Sequence, residues 1–565
     1  MTDNYDQYSR EELLRLLRER DRKPKFGLVW ERDEIEYDQS LNSDFVALDL
    51  DPGLSCGDAP FENLIIEGNN FDALRYLRMT HSGRVKCIYI DPPYNTGNRD
   101  FIYNDHFVDK DDAYRHSKWL EFMYRRLTLA KDLLAEDGVI FVSIDDNEML
   151  HLGLLMDQVF GEANRIATIV WNNSTRTSET IAVEHEYIVC YALNSTLPRS
   201  WKSPRPEVDQ AYRTVEEVRR VGGNINEAAK TLKQYVSDLQ KSSSDKKKYS
   251  WMTNYCNVDE EWKIYYPVDL SGEGDGPARL FGDRLIPAPT GRHWMGQDYI
   301  DEVIRQNRIV WRNDRAYRKL FIEESQESMR SLIQIPGRNG SEEIKSIFGE
   351  KAFNNPKPSS LIEWLIAAPI GKDGIVLDFF AGSGTTAHAV MKLNAEDGGK
   401  RRFILVSSTE ATGDAPDKNL CRDVCAERVR RVAQGYTNKK DEAVEGLGGS
   451  FAYLRTKRIP VSRVFNDIQH EQVWRALQLM HGEALTKFDK KTAVHVSGNE
   501  DDRLVYVPKL SDAAVAEVAR LAGLVGRLVV YSWQPGLIRQ RIEAANVAFE
   551  KIPEFLVNRF GGMAR

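Results

Sequence analysis

The chain has 565 residues, 42% of them hydrophobic and 29% charged. That is the make-up of a soluble globular protein with core enough for more than one domain, and no apolar run is long enough to span a bilayer. A net charge of −8 excludes a uniformly basic nucleic-acid coat, although a local basic channel would serve phosphate contacts. The N-terminus has no signal-peptide pattern and the six cysteines are scattered. Reduced thiols, a cytoplasmic setting and no membrane partner are therefore expected.

In chain order, Ser9 and Glu12 have capping-box spacing ahead of the apolar stripe Leu13, Leu14, Leu16 and Leu17, which predicts a helix. Residues 25–62 read as an irregular, acid-rich arm. The strand Asn63–Asn69 then leads into a helix around Asp72–Arg78, with a cap one reading of Asp72 and no role assigned to it.

The next run, Val85-Lys86-Cys87-Ile88-Tyr89-Ile90, is short, apolar and β-branched, and it stops at Asp91-Pro92-Pro93-Tyr94. It predicts a buried parallel strand that ends where proline has no N–H for the ladder. Side chains at the carboxyl end of such a strand face the ligand crevice of α/β proteins. Asp91 and a backbone carbonyl could accept both hydrogens of one aromatic amine, favouring the pyramidal nitrogen of a transition state. Tyr94 offers a face for stacking. For four isolated residues the alternative is a plain turn with Asp91 capping a loop.

Residues 95–116 mix polar, aromatic and basic groups, among them Asn95 and Arg99, in a loop too long for a plain connection. A clamp on a nucleic-acid strand and a surface loop pinned by its own aromatics fit equally. A helix over Trp119–Leu134 ends by Gly138, and strands follow at Val139–Ile144, Ile166–Trp171 and Glu186–Tyr191. Their alternation with helices predicts that the parallel sheet continues.

Residues 196–350 break this rhythm. Lys246 and Lys247 follow a serine run, and Arg292, Trp294, Arg312 and Arg315 lie in an arginine and aromatic segment. Arginine beside aromatics suits phosphate anchoring and base-edge contacts, against a solvated face for any one residue. Then Asn355-Pro356-Lys357-Pro358 precedes an apolar helix to Ala368.

The run Val376-Leu377-Asp378-Phe379-Phe380-Ala381-Gly382-Ser383-Gly384-Thr385-Thr386 is a strand, a glycine turn and a helix start, the opening of a Rossmann-like unit. It lacks the third glycine of the dinucleotide fingerprint and any phosphate-cradle lysine. A second strand, Arg402–Val406, is followed by Glu410, placed to hold ribose hydroxyls. An adenosine derivative is the expected ligand, and a nicotinamide cofactor is the competing one. A basic helix over 420–436 and a linker at Asp441–Gly449 lead to a smaller module in which Ser511 begins a helix, Arg527–Trp533 is a strand and a helix starts near Leu537. It carries no catalytic constellation, so oligomerisation or partner docking is expected of it.

Taken together, Asp91–Tyr94 and Asp378–Thr386 resemble the catalytic loop and the S-adenosylmethionine site of DNA amino-methyltransferases. The order, catalytic motif first, is that of the β class. The run Asp91–Gly97, the segment Phe26-Gly27-Leu28-Val29-Trp30 and the length most resemble the modification subunits of type III restriction systems. The resemblance covers residues 25–195 and 350–435. It implies an α/β protein with a Rossmann-like methyltransferase domain, a mostly parallel sheet, an inserted target-recognition domain and a smaller C-terminal α/β module. The boundaries are 1–62 for the helix and arm, 63–195 for the catalytic half, 196–350 for the insert, 351–436 for the cofactor half and 437–565 for the last module.

The resemblance also implies roles. Asp91, Pro92, Pro93 and Tyr94 are catalytic. Asp378, Phe380, Gly382, Ser383, Gly384, Thr385 and Glu410 hold the cofactor, with Lys357 and Pro358 closing over its methionine end. Asn95, Arg99, Lys246, Lys247, Arg292, Trp294, Arg312 and Arg315 meet DNA, and no metal is called for. The implied activity is methylation of adenine N6 in double-stranded DNA by base flipping. Cytosine N4 methylation, RNA methylation and a non-catalytic specificity subunit remain open. A homodimer and a separate restriction (helicase-nuclease) subunit are the implied partners.

Overall fold

Ten strands gather into one sheet, and their order brings two distant sequence motifs side by side. The structure, a computed structural model, describes residues 44–97, 115–174, 180–205, 207–242, 249–312, 315–411 and 417–561, with Ser9 and the paired strands Ile102–Tyr103 and His106–Phe107. The expected N-terminal helix, the segment 26–30 and Arg99, Lys246 and Lys247 lie outside the described residues. The chain forms two units, one of residues up to 199 with those from 330 on, the other Ser200–Met329.

In the first unit the sheet strands are β1 Asp44–Leu50, β2 Leu64–Glu67, β3 Val85–Ile90, β4 Leu134–Ile144, β5 Arg165–Asn172, β6 His185–Ala192, β7 Leu332–Gln334, β8 Asp373–Asp378, β9 Lys400–Ser407 and β10 Ala452–Pro460. Their spatial order is β1-β10-β2-β9-β8-β3-β4-β6-β5-β7. Every pairing from β10 to β4 is parallel. Parallel strands are covered on both faces and so read as continuous apolar runs. Accordingly Cys87, Ile88 and Ile90 of β3 and Val376 and Leu377 of β8 are fully buried.

Helices cover both faces: α1 Asn70–His81, α2 Arg115–Leu133, α3 Met149–Phe160, α4 Arg338–Phe348, α5 Ser359–Ile370, α6 Thr385–Asp397, α7 Glu427–Gln434 and α8 His470–Met480. Asn69 caps α1, its side chain accepting from the Phe71 N–H at 2.8 Å. In α2 the stripe Trp119, Met123, Leu127 and Ala130 is fully buried at helical spacing.

Three expectations change. Residues 44–50 of the supposed arm form β1, antiparallel to β10, where Phe45–Leu48 are core. β6 runs antiparallel to both β4 and β5, so the sheet is mostly parallel as expected but its parallel run does not continue past β4. The two strands β5 and β6 are joined through residues 173–184, and the Asn173 N–H bonds the Glu184 carbonyl where they meet, continuing the antiparallel ladder. Thirdly, β10 lies beyond the expected linker yet belongs to the main sheet. The last sheet, in the order His495–Gly498, Asp502–Val507, Arg527–Ser532, Val547–Lys551, buries Tyr506, Val529 and Tyr531 in the same core as Phe45 and Leu377. The helix expected from Ser511 is Asp512–Ala522, with Ser511 as its N-cap.

The second unit has its own cores. Helices Glu207–Arg220 and Ile225–Ser242 pack Val215, Leu232 and Val236 against Ile264 and Ile322, and a smaller cluster surrounds Trp294 and Phe281. The unit is narrower than 196–350, because β7 pairs with β5 and α4 belongs to the first unit.

Replacing Leu377 by alanine leaves a cavity in the central strand and should cost about 3 kcal/mol. Urea unfolding followed by tryptophan fluorescence checks it. The transition of the first unit should move to lower urea while that of unit 200–329 stays; a shift of both would show that the units do not unfold independently.

Candidate active site

The site is built at one sheet edge. β8 pairs in parallel with β3, with Val376 opposite Cys87 and Leu377 opposite Ile88. Both strands therefore release their chains on the same side, one into Asp91 and the other, through Asp378, into the glycine turn. Charge on Asp91 contributes to raising the Asp378 carboxyl, as expected of groups facing one low-dielectric region.

Beyond β3, Pro92 is buried and the Pro93 carbonyl accepts from Trp119 Nε1 at 2.7 Å. Asn95 takes φ 57° and is fully buried. Its amide donates to Glu148 Oε1 at 2.5 Å and to the Arg115 carbonyl at 3.2 Å. Asn95, expected to meet DNA, thus anchors the loop from inside. His116 Nδ1 lies 2.7 Å from Glu148 Oε1, and His151 Nδ1 lies 2.9 Å from Oε2. Burial pushes the Glu148 carboxyl up to about 7. These three residues are of metal-ligating type and close together. Glu148 Oε1 is already engaged by the Asn95 amide and by His116 Nδ1, so Glu148 serves as the anchor of this loop. Sequence reasoning passed over it, although Glu148 closes the run Asp145-Asp146-Asn147-Glu148.

Beside Asp91 stands Lys357. Its Nζ lies 3.0 Å from Asp91 Oδ1, 2.8 Å from the Tyr94 hydroxyl and 3.1 Å from Glu186 Oε2. It also sits 4.9 Å from the centroid of the Tyr94 ring and 5.6 Å from that of Trp171. The Tyr94 hydroxyl donates to Glu186 Oε2 at 2.8 Å, and Asn173 Nδ2 holds Glu186 Oε1 at 2.7 Å. Asp91 Oδ1 is shut off from solvent and has no well-aligned hydrogen bond. Burial raises the Asp91 carboxyl, Lys357 pulls it back and Glu186 raises it again, leaving it above its ordinary value. Burial alone would lower the Lys357 ammonium, but Asp91 and Glu186 more than restore it, so it stays charged. Lys357, expected to close over the methionine end of a cofactor, stands at the catalytic loop. Two carboxylates and two rings draw the ammonium to the catalytic loop. Pro358 is buried just before α5, and Glu186 was not foreseen as a site residue.

The glycine turn is held from several sides. Asp378 accepts from the Phe380 N–H at 3.0 Å and from Thr386 Oγ1 at 2.6 Å; burial pushes its carboxyl up to about 7. Gly382 and Gly384 have φ 49° and 76°, and a Cβ on Gly384 would meet the Cys425 carbonyl oxygen at 3.0 Å. Asn70 Nδ2 donates to the Phe379 carbonyl at 2.9 Å. Fully buried Arg428 donates to Thr385 Oγ1 at 2.7 Å and Ser383 Oγ at 3.1 Å, and pairs with Glu343 at 3.0 Å. Ser383 and Thr385 therefore face the interior, while Phe380 and Gly382 remain half-buried. Glu410 is exposed with φ 52° and pairs with Lys418 at 2.8 Å.

In the second unit, Trp294 is 2% exposed, packs on Phe281 and donates to backbone carbonyls. It is core, contrary to the expected DNA contact. Arg292 is turned onto Ser271 and Asp269. Arg312 and Arg315 are exposed and opposite each other at the tip of the hairpin Ile309–Arg312/Arg315–Phe321.

A family model described as DNA methylase matches residues 85–412. The chain is 32% identical over 425 residues to the type III restriction-modification enzyme EcoP15I Mod subunit of Escherichia coli, covering 66% of this chain and 63% of that protein. Against the StyLTI Mod subunit of Salmonella typhimurium the figures are 31% over 421 residues, 66% and 57%. The matches thus span less than two thirds of these relatives' own length. Among solved structures, PvuII DNA methyltransferase (cytosine-N4-specific) matches with 12% identity and a TM-score of 0.33, covering 76% of this chain and 97% of that one. A score that low lends no weight to any assignment.

Asp378 gives a pH test. Unfolded, it ionises near 3.8; folded, near about 7. Between these values the folded state keeps a proton that the unfolded chain loses, so the group's contribution to stability falls as pH rises through the window and is level above it. Asp378→Asn cannot ionise. In thermal melts from about pH 4 to about pH 8, the wild type should lose stability relative to this variant up to about pH 7 and not beyond. A difference independent of pH would count against a protonated Asp378.

Proposed function

The chain belongs to the DNA methylase family, and from that premise we propose that it methylates adenine N6 in double-stranded DNA with S-adenosylmethionine. One observation carries the reading: parallel pairing of β3 and β8 sets Asp91 and the glycine turn at one edge of the sheet. Named relatives are Mod subunits of type III restriction-modification enzymes. On that likeness the chain acts as a modification subunit beside a separate restriction subunit, and we carry the homodimer over from the motif resemblance alone. No described helix is long and apolar enough to cross a membrane.

The residues present fit the cofactor. Gly382 and Gly384 let the backbone approach a nucleoside, the start of α6 offers N–H groups, and half-buried Phe380 lends an apolar wall. Asp378 shapes the turn and Glu410, once released from Lys418, is the acid for the ribose hydroxyls. When bound, S-adenosylmethionine supplies an electrophilic methyl group, whose C–S bond breaks, with the pair left on sulfur, as the N–C bond forms.

This chain's residues do the positioning. The base must leave the stack, since its amine is out of reach in the duplex. Asp91 and the Pro92 carbonyl accept the two amine hydrogens and so favour the pyramidal nitrogen, while Tyr94 stacks on the ring. Asp91, its proton affinity raised by burial, takes the proton the amine sheds and passes it to solvent. Holding both reactants in line supplies most of the acceleration. Exposed Arg312 and Arg315 are candidates for phosphate or base-edge contacts.

The experiment incubates wild type and Asp91→Ala with unmodified bacterial DNA and labelled cofactor, followed by nucleoside mass spectrometry. The wild type should yield N6-methyladenine. Asp91→Ala should lose about 100- to 1,000-fold in transfer while binding DNA within about threefold of wild type. N4-methylcytosine would move the substrate to cytosine, loss of binding together with transfer would remove the role given to Asp91, and no methylated base would end the reading.

A further inference from the structure

The Lys357 ammonium has three N–H donors and three oxygen partners, on Asp91, Tyr94 and Glu186, at 3.0, 2.8 and 3.1 Å. Its side chain is 10% exposed, and the faces of Tyr94 and Trp171 stand beside it. The function proposed above, on which this inference rests, requires Asp91 to accept from an exocyclic amine. That nitrogen would lie about 3 Å from a carboxylate oxygen, and Lys357 Nζ already stands at that distance from Asp91 Oδ1. An amine accepted at Oδ1 on the side Lys357 occupies therefore requires that Lys357 has left.

The cage left behind has a definite preference. Two carboxylates and two aromatic faces suit a tetrahedral nitrogen carrying positive charge. A flat aromatic amine does not match that description, but the same amine does once the methyl group is arriving, when it is pyramidal and positive. An interaction that strengthens only as charge develops raises kcat. We propose that Lys357 plugs the target-amine position in the DNA-free protein, and that Glu186 is a second carboxylate meeting the charge that grows on that amine. The other ionisable groups facing the cluster are Tyr89, Tyr94, Asp378 and Asp145.

Two arms test this on the full chain. In the first, Lys357→Ala is melted with increasing methylammonium chloride, with tetramethylammonium chloride as a cation that has no N–H. Methylammonium should raise the melting temperature of Lys357→Ala saturably and leave wild type unmoved, and adding Glu186→Gln should weaken that binding at least tenfold. In the second, Lys357→Met and Glu186→Gln are assayed on unmodified bacterial DNA over a pH series. Glu186→Gln should lower kcat at least tenfold with cofactor affinity unchanged. In Lys357→Met the free enzyme loses the cation that pulls Asp91 down. The acid limb of kcat/KM should therefore move to higher pH, while that of kcat, which reports a complex Lys357 has already left, stays. Equal responses to the two ammonium salts would overturn the plug, as would movement of both limbs. Weakened cofactor binding in Lys357→Met would return the residue to the cofactor's methionine end. If wild type methylates no DNA, the function proposed above falls, and the methylammonium arm still decides the plug by itself.

Discussion

The parallel ladder between β3 and β8 is the constraint on which the site depends. The two strands are far apart in sequence, yet pairing in one direction makes both end at the same edge. How each strand ends then matters. After β3 a double proline withholds the N–H the ladder would need, so the chain turns off with Asp91 at its root. After β8 two glycines at positive φ bend the backbone where Cβ-bearing residues would be strained. Neither ending would hold its shape without support. Trp119 fixes the Pro93 carbonyl, the buried Glu148 fixes Asn95, and Arg428 fixes the hydroxyls of Ser383 and Thr385 from behind.

Much of that support is charged and buried, which makes it a poor source of stability. A buried ion pair must first overcome the desolvation of both partners. Arg428 with Glu343, and Lys357 with Asp91 and Glu186, are better understood as devices that select one arrangement. Deleting one partner would leave the other uncompensated, so each pair penalises alternatives more than it stabilises the native packing. Asp378 solves the same problem differently. Its carboxyl accepts two hydrogen bonds within the turn and is pushed towards the protonated form, so less charge is buried than on an ordinary carboxylate.

The parts of this arrangement legible in the sequence were those with local causes. Apolar β-branched runs gave β3, β4, β8 and β9; the proline and glycine endings marked the tips; Ser511 marked a helix start. Non-local facts were not legible. Antiparallel β6 carries the same apolar composition as a parallel neighbour, so composition could not reveal its direction. Trp294 stands among arginines in sequence but points into a core built by Phe281 and Ile300. Asn95 follows the catalytic motif like a surface contact, yet its partner Glu148 lies on the far side of α2 and β4 in the chain. Glu186 sits in a plain strand, and only the fold shows that its side chain turns towards Asp91 and Tyr94.

The position of Lys357 follows from backbone packing rather than from its own chemistry. Prolines 356 and 358 flank it, each with a fixed φ, and both are buried. Ser359 then enters α5 held by Glu343 of α4 through its N–H and hydroxyl. The segment passes so close to α4 that a Cβ on Gly340 would meet the Pro356 carbonyl oxygen at 2.1 Å and the Lys357 carbonyl carbon at 2.8 Å. No flexible side chain could give way there, since both atoms are backbone. Glycine at 340 is thus what lets the chain deliver Lys357 to the edge of the sheet. With its Cα so confined, the lysine keeps freedom only in its four-carbon stem, whose length lets the ammonium leave the carboxylates without any movement of the helices that aim it.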